Sequence, residues 1–132
     1  MHRSAIFLDR DGTIIEDVGH LGDPSQIKLI PRAIPMLKKL QERYLLFVVT
    51  NQVGVARGIL TLEQVDEVHT ALQAMLEREG VHVEQWYVCP HEKEENCGCR
   101  KPSPFFLQQA AEEYDLDLGS SFMIGDHPSD PK

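Results

Sequence analysis

Short apolar runs and longer amphipathic segments alternate along the chain, and this pattern predicts strands joined by helices. Buried strands are predicted at four runs, Ser4–Asp9, Leu45–Thr50, Val81–Val88 and Ser121–Asp126. Apolar residues recur at helical spacing after Pro31, between Thr61 and Glu79, and after Ser103. Because strands alternate with helices, we expect an α/β fold with a doubly wound, Rossmann-like parallel sheet, in which the first strand lies between the second and the fourth.

Local signals mark the starts of two of these helices. Thr61 and Gln64 have the spacing of a capping box. Ser103 is placed to be the N-cap of the last helix, with Pro104 at its first position. The apolar stripe predicted for the helix after Thr61 consists of Leu62, Val65, Val68, Leu72 and Met75. His69 lies off this stripe, so we interpret it as an ordinary residue.

Composition limits the classes of protein that remain. A chain of 132 residues predicts a single domain spanning 1–132, and 42% hydrophobic residues suit a globular core. A net charge of −8 disfavours a nucleic-acid partner, and no apolar run approaches the roughly 18 residues of a membrane span. We expect a cytoplasmic protein, in which the three cysteines stay reduced and a metal is favoured over a disulfide.

Polar residues follow the predicted strands at their carboxyl ends, which meet at one edge of a parallel sheet. Asp9 and Asp11 close the first strand, Thr50 the second and Asp126 the fourth. Residues two apart on an extended segment point the same way, so Asp9 and Asp11 can face one ligand, with Arg10 directed elsewhere. Paired carboxylates need a cation, and an all-oxygen ligand set predicts Mg²⁺.

Four segments in this order resemble motifs of the haloacid-dehalogenase superfamily of phosphatases. They are "DRDGT" (9–13), "VVTNQVGVARG" (48–58), "CRKPSP" (99–104) and "MIGDHPSD" (123–130). With "CPH…CGC", the chain is similar to a branch without a large cap domain, which includes phosphatases of heptose bisphosphates and of histidinol phosphate. The resemblance covers nearly the whole chain, from Ile6 to Asp130.

The resemblance implies a role for each catalytic residue. Asp9 would be the nucleophile and would form an aspartyl-phosphate intermediate. Asp11 would protonate the leaving oxygen and then deprotonate the attacking water. Thr50 would donate a hydrogen bond to the transferring phosphoryl group, and the cations of Arg100 and Lys101 would neutralise its charge.

The resemblance also assigns the catalytic metal ligands. Mg²⁺ would be bound by the Asp9 carboxylate, the Asp11 backbone carbonyl and the Asp126 carboxylate. Asp130 matches an acidic position that commonly orients the catalytic lysine, and so it would support the site.

A loop at 89–101 contains every cysteine of the chain, in the spacing Cys-x-His-x5-Cys-x-Cys. Three thiolates and one imidazole can fill a tetrahedral shell, so we predict a structural Zn²⁺ that leaves no position for water. The zinc would fix the end of this polar loop, and thereby the two cations that follow it. A disulfide or three buried thiols are the alternatives. The predicted zinc ligands are Cys89, His91, Cys97 and Cys99.

A second set of residues is predicted to contact the substrate. The segment 17–20 matches a substrate-contacting segment in similar heptose phosphatases, although a solvated loop is an alternative. Arg57 is a candidate for a second substrate phosphate. The whole predicted substrate-binding set is Asp17, Val18, Gly19, His20, Asn51, Gln52, Val53, Arg57, Arg100, Lys101 and His127.

These features predict a magnesium-dependent phosphatase for a small phosphate ester. Heptose 1,7-bisphosphate, cleaved at position 7, is the expected substrate, and histidinol phosphate is the alternative. The chain stops at Lys132, where similar proteins continue with another helix and strand. We therefore also consider a non-catalytic, zinc-stabilised fragment, and expect the fourth strand to be covered by further chain or by another chain. We expect the complete protein to be a monomer.

Overall fold

A computed structural model of the chain describes residues 3–89 and 105–124. The strands of this part are Ala5–Leu8 (β1), Leu45–Asn51 (β2), Gln85–Cys89 (β3) and Phe122–Ile124 (β4). Its α-helices are Ala33–Leu40 (α1), Val53–Ala56 (α2), Leu62–Arg78 (α3) and Phe105–Tyr114 (α4). None of the helices described is long and apolar enough to cross a membrane.

The strands form one parallel sheet in the order β3-β2-β1-β4. The predicted α/β sheet is confirmed, and so is the central place of the first strand between the second and the fourth. Leu8 pairs with Val48 on one side and with Ile124 on the other, so β1 and β4 end at the same level and β2 continues three residues further, to Asn51. The chain winds from β1 towards β3 and then returns past β1 to β4. The point at which the winding reverses therefore lies between β1 and β4.

Alternating strand residues supply two apolar cores, one on each face of the sheet. Ile6 and Val48 belong to the core that includes Leu72 of α3. Phe7 and Phe47 stack with their centroids 5.2 Å apart and belong to the opposite core, which contains Ala110 of α4 and Cys89. Helices therefore cover both faces, as expected for a doubly wound sheet.

The start of the third strand differs from the prediction, which placed it at Val81. Pairing with β2 begins at Gln85, opposite Phe47. Val81 and Val83 are buried in the core on the α3 side of the sheet, outside any described strand. Val81 and Val83 therefore alternate with polar residues because a connecting segment buries them. The periodicity of apolar residues alone does not distinguish such a segment from a strand.

Helix α3 begins as predicted, and it buries Val65, Val68 and Leu72 of the predicted apolar stripe. Thr61 Oγ1 accepts from the Gln64 backbone N–H at 3.0 Å, and Gln64 Oε1 accepts from the Thr61 N–H at 2.9 Å, which completes the capping box. Leu62 is exposed, whereas Leu76 and His69 are buried. The interpretation of His69 as an ordinary residue off the buried face is therefore wrong.

Several predictions lie outside the described residues. They concern the Ser103 N-cap with Pro104, and the segment 125–132. Within the described part β4 borders the sheet, and Phe122 packs edge-on against Tyr44 with centroids 5.8 Å apart. The expectation that β4 is covered by further chain stays a prediction.

Candidate active site

Asp9 directly follows β1 and lies at the point where the winding of the sheet reverses. Its backbone N–H donates to the Ile124 carbonyl at 2.9 Å, which ties it to the end of β4. Thr50, near the end of the adjacent strand β2, is buried, as is Asp9. Crevices at such points are where open α/β sheets bind ligands. The two residues thus occupy the edge at which the sequence predicted a site.

The turn after Asp9 is closed by backbone hydrogen bonds. The Arg10 carbonyl accepts from the N–H groups of Ile14 and Ile15 at 3.0 and 3.2 Å, and Gly12 donates to the Ile15 carbonyl at 2.8 Å. Gly12 has a φ of 82°, a conformation that favours glycine. The Asp11 carbonyl accepts no hydrogen bond from any part of the chain that the structure describes. That oxygen, with the neighbouring Asp9 carboxylate, suits a hard cation such as Mg²⁺.

Arg10 has a fully buried side chain that donates hydrogen bonds to the carboxylate of Asp11. Its Nε and Nη2 donate to Asp11 Oδ1 at 3.1 and 3.0 Å, and Nη2 also donates to Oδ2 at 3.1 Å. The Asp11 side chain is 22% exposed, so Arg10 holds the carboxylate while part of it stays accessible to solvent. We expected Arg10 to be directed elsewhere, and the sequence did not predict this contact.

His69 is the second partner of Arg10. Its Nε2 lies 3.0 Å from Arg10 Nη1. Because an arginine can only donate, Nε2 must accept, and the neutral ring carries its proton on Nδ1. Burial and then the charge of Arg10 lower the pKa of His69 to about 3. His69 therefore stays neutral at physiological pH and offers Arg10 a permanent acceptor.

Gln52 orients Thr50 and links the site to β3. Gln52 Nε2 donates to Thr50 Oγ1 at 2.7 Å, inside the core. The Gln52 backbone N–H donates to the Cys89 carbonyl at 2.8 Å, and Cys89 pairs with Asn51 in the sheet. The segment predicted to bind zinc therefore starts beside the end of β2.

The predicted substrate segment 17–20 lies against α2. A Cβ added to Gly54 would be 2.7 Å from His20 Nδ1, so the imidazole packs directly on the α2 backbone. Asp17 Oδ1 accepts from the Gly19 N–H at 3.0 Å and shapes the turn before His20. Val18 is 44% exposed, and the Arg57 side chain is also exposed. The structure thus brings 17–20 next to the segment that follows β2.

The remaining predicted site residues cannot be located in this way. Outside the described residues lie His91, Cys97, Cys99, Arg100, Lys101, Asp126, His127 and Asp130, and for Val53 the backbone alone is described. Within 3–89 and 105–124 no group of three or more His, Cys, Asp or Glu side chains could hold a metal. Cys89 is buried and takes part in a disulfide, which differs from our expectation that the three cysteines stay reduced. A disulfide and a zinc thiolate are alternative states of the same sulfur.

Sequence reasoning missed Arg10 and His69 as part of the site. Arg10 lies between two predicted ligands, Asp9 and Asp11. The alternation of side chains along an extended segment predicts that Arg10 points away from both of them. A basic residue directly after a buried strand is itself a signal, because a buried charge needs partners. No sequence pattern indicates that the partner is His69 on α3.

Comparison with known proteins agrees with this architecture. Residues 98–131 match the HAD-hydrolase-like family. D-glycero-β-D-manno-heptose-1,7-bisphosphate 7-phosphatase of Helicobacter pylori is 41% identical over 128 residues, which span 96% of this chain and 74% of that protein. The enzyme of the same name from Pasteurella multocida is 39% identical over 135 residues, covering 97% of this chain and 73% of that protein.

A solved structure shows the same likeness in three dimensions. D,D-heptose 1,7-bisphosphate phosphatase from B. bronchiseptica, complexed with magnesium and phosphate, superposes with a TM-score of 0.86 at 30% identity. The match covers 96% of this chain and 72% of that one. The chain therefore belongs to the D-glycero-D-manno-heptose-1,7-bisphosphate 7-phosphatase family of HAD-like hydrolases, which are phosphoric monoester hydrolases.

Proposed function

We propose that this chain hydrolyses the 7-phosphate of D-glycero-D-manno-heptose 1,7-bisphosphate through a covalent intermediate on Asp9. The observation that carries the proposal is the position of Asp9 at the reversal of the sheet, beside Thr50 and Asp11. The substrate is inferred from the relatives, which are named for it.

The chemistry requires four events at these side chains. An Asp9 oxygen attacks the phosphorus, and the bond between phosphorus and the sugar oxygen breaks. Asp11 gives its proton to the departing sugar oxygen. Water then attacks the phosphorus of the aspartyl phosphate, the bond between phosphorus and the Asp9 oxygen breaks, and Asp11 takes a proton from the attacking water. Thr50 donates a hydrogen bond from its hydroxyl group to a phosphoryl oxygen, and its O–H is available for this because its oxygen accepts from Gln52.

Magnesium would be held by the Asp9 carboxylate, the Asp11 carbonyl and, as the resemblance implies, Asp126. Such an ion supplies positive charge against which an anionic nucleophile can approach an anionic phosphate. The Asp11 carbonyl fits this use because no described residue donates to it. Lys101 and Arg100 would add charge on the phosphoryl group, with Asp130 orienting the lysine.

A structural zinc on Cys89, His91, Cys97 and Cys99 remains our proposal for the loop 89–101. The support within the described residues is the start of the loop, because the Cys89 carbonyl is bonded to Gln52 at the site edge. A metal-fixed loop starting there would set the position of the cations that follow it. This proposal requires reduced thiols and hence a reducing compartment such as the cytoplasm.

We further propose that the second phosphate and the sugar contact the exposed rim around the site. Packing of His20 on Gly54 supports this, because it joins segment 17–20 to the end of β2. Asn51, Arg57 and His127 complete the proposed rim. Buried Gln52 contacts Thr50, so we assign it to positioning and not to direct contact with the sugar.

The test is a phosphate-release assay on a panel of esters, with and without Mg²⁺. Heptose 1,7-bisphosphate should be preferred to histidinol phosphate, which has a single phosphate. Asp9→Asn should lower kcat/KM by roughly a thousandfold or more, because an amide is a poor nucleophile. The exposed Asp66→Asn is the matched control and should behave as the wild type. Absence of magnesium-dependent turnover on every ester would favour the non-catalytic alternative.

A further inference from the structure

The geometry points to Arg10, held by His69, as a positioning residue that fixes the Asp11 carboxylate so that Oδ2 is the atom that moves the proton. This inference deepens the proposed function and rests on the acid–base role of Asp11. It adds an atom assignment and a pair of residues that act through Asp11 without touching the substrate.

The hydrogen bonds to Asp11 single out Oδ2. A carboxylate has about four acceptor sites, two on each oxygen. Arg10 fills two on Oδ1, through Nε and Nη2, and one on Oδ2, through Nη2. The remaining site is on Oδ2, and the Asp11 side chain is 22% exposed, so the carboxylate is accessible to a molecule at the site. A proton on Oδ2 can therefore face a leaving group while Oδ1 stays bound.

Arg10 can orient the Asp11 carboxylate because the other end of its guanidinium, at Nη1, is also fixed. Its Nη1 donates to His69 Nε2 at 3.0 Å, across 59 positions of sequence. The His69 ring stacks on Trp86 with centroids 4.7 Å apart, and Trp86 Nε1 donates to Gln73 Oε1 at 2.6 Å. The imidazole is thus held from α3 against Trp86 of β3, and its hydrogen bond fixes the Nη1 end of the Arg10 guanidinium.

A purely structural role for Arg10 predicts different behaviour. A buried guanidinium that served only the fold would lose stability when His69 is changed, and every substrate would suffer equally. A positioning role predicts that proton transfer suffers selectively, because the loosened carboxylate no longer meets the leaving oxygen. The dependence of the rate on the leaving group separates these two cases.

The experiment compares His69→Gln with His69→Asn, two neutral amides that differ in reach. The Gln amide oxygen can take the place of Nε2 and accept from Arg10, whereas the shorter Asn side chain cannot. kcat/KM is measured for heptose 1,7-bisphosphate and for 2,4-dinitrophenyl phosphate, whose phenolate leaves without protonation. His82→Asn, at an exposed histidine, is the control, and thermal unfolding verifies that each variant is folded.

We expect His69→Asn to lose about tenfold or more in kcat/KM on the sugar phosphate and less than about threefold on the dinitrophenyl ester. His69→Gln should recover most of the loss, and His82→Asn should change neither value. Equal losses on both esters, or no loss in a folded His69→Asn, would overturn the inference. If His69→Asn fails to fold, the same two esters are compared with Arg10→Lys. This variant keeps the positive charge and loses the paired guanidinium N–H donors to Asp11.

Asp11→Asn separates this inference from the proposed function. If Asp11→Asn loses far more on the sugar phosphate than on the dinitrophenyl ester and the His69 variants do not, the positioning inference alone is wrong. If Asp11→Asn shows no such difference, the acid–base role itself is wrong. An active Asp9→Asn would contradict the nucleophile assignment, independently of either result.

Discussion

Gln52 Nε2 donates a 2.7 Å hydrogen bond to Oγ1 of Thr50, and both side chains are buried at the end of β2. Because the Thr50 oxygen accepts from the Gln52 amide, its own O–H can donate to another acceptor. The pair makes Thr50 a preorganised donor, which is the arrangement that stabilises charge developing on a phosphoryl oxygen.

Thr50→Val should therefore lower kcat/KM by about a hundredfold while keeping the side-chain shape. Thr50→Ser, which retains the hydroxyl, should keep most of the activity. Steady-state kinetics on the preferred ester, with circular dichroism to verify folding, is the measurement. Full activity in a folded Thr50→Val would show that no catalytic donor is lost at this position.

Gly54→Ala should weaken substrate binding through His20. The added Cβ would stand 2.7 Å from His20 Nδ1, so the imidazole must move. We expect an increase in KM for the heptose bisphosphate with a smaller change in kcat, if segment 17–20 contacts the substrate. In a His20→Ala background the same change at Gly54 should have little additional effect, because the clash is gone. Additive effects in this double-mutant cycle would disprove the coupling.

His69 should make the stability of the fold depend on pH. Its pKa is lowered to about 3 in the folded state from 6.5, so the unfolded chain binds more protons between these values. The contribution is fully present above pH 6.5 and is lost as pH falls towards 3, at up to about 1.4 kcal/mol per pH unit.

Urea unfolding of the wild type and of His69→Gln, from pH 7.5 to 5, is the corresponding measurement. Groups common to both proteins cancel in the difference between their free energies of unfolding. That difference should be constant near pH 7.5. As the pH falls below 6.5, the free energy of unfolding of the wild type should decrease relative to that of His69→Gln. A difference that does not change with pH would mean that His69 is not buried as a neutral ring.

Protein purified under reducing conditions without added metal should contain one zinc per chain. After denaturation and chelation, all three cysteines should react as free thiols. The contrary result is protein without zinc and lighter by two hydrogen atoms, with Cys89 in the disulfide that the structure describes. Cys97→Ser should lose the zinc and some activity. Zinc loss with full activity would leave the metal assignment in place and disprove its positioning effect.

The strands, their order and the polar residues at their carboxyl ends were predictable, because each rests on local periodicity and on the handedness of crossovers. Asp9 and Thr50 were found in this way, since each terminates an apolar run. The start of β3 was not, because Val81 and Val83 alternate like strand residues while packing in a connecting segment.

The spacing of apolar and polar residues could not predict contacts between residues that are far apart in the sequence. His69 interrupts an otherwise apolar helix face, and sequence spacing gives no reason for a polar residue to be buried there. Its partner Arg10 is 59 positions away, and only the packing of α3 against the sheet brings them together. Similarly, nothing local predicts that Gln52 turns inward to Thr50 while Arg57, five positions later, stays exposed.

Hydrolysis at position 7 through Asp9 can be followed by a ³¹P NMR time course with D-glycero-D-manno-heptose 1,7-bisphosphate, Mg²⁺ and purified protein. We expect loss of the 7-phosphate signal, equal growth of inorganic phosphate and an unchanged 1-phosphate signal. With Asp9→Asn under the same conditions, we expect no change in the spectrum. Release of the 1-phosphate instead, or equal rates for wild type and Asp9→Asn, would disprove the proposed reaction.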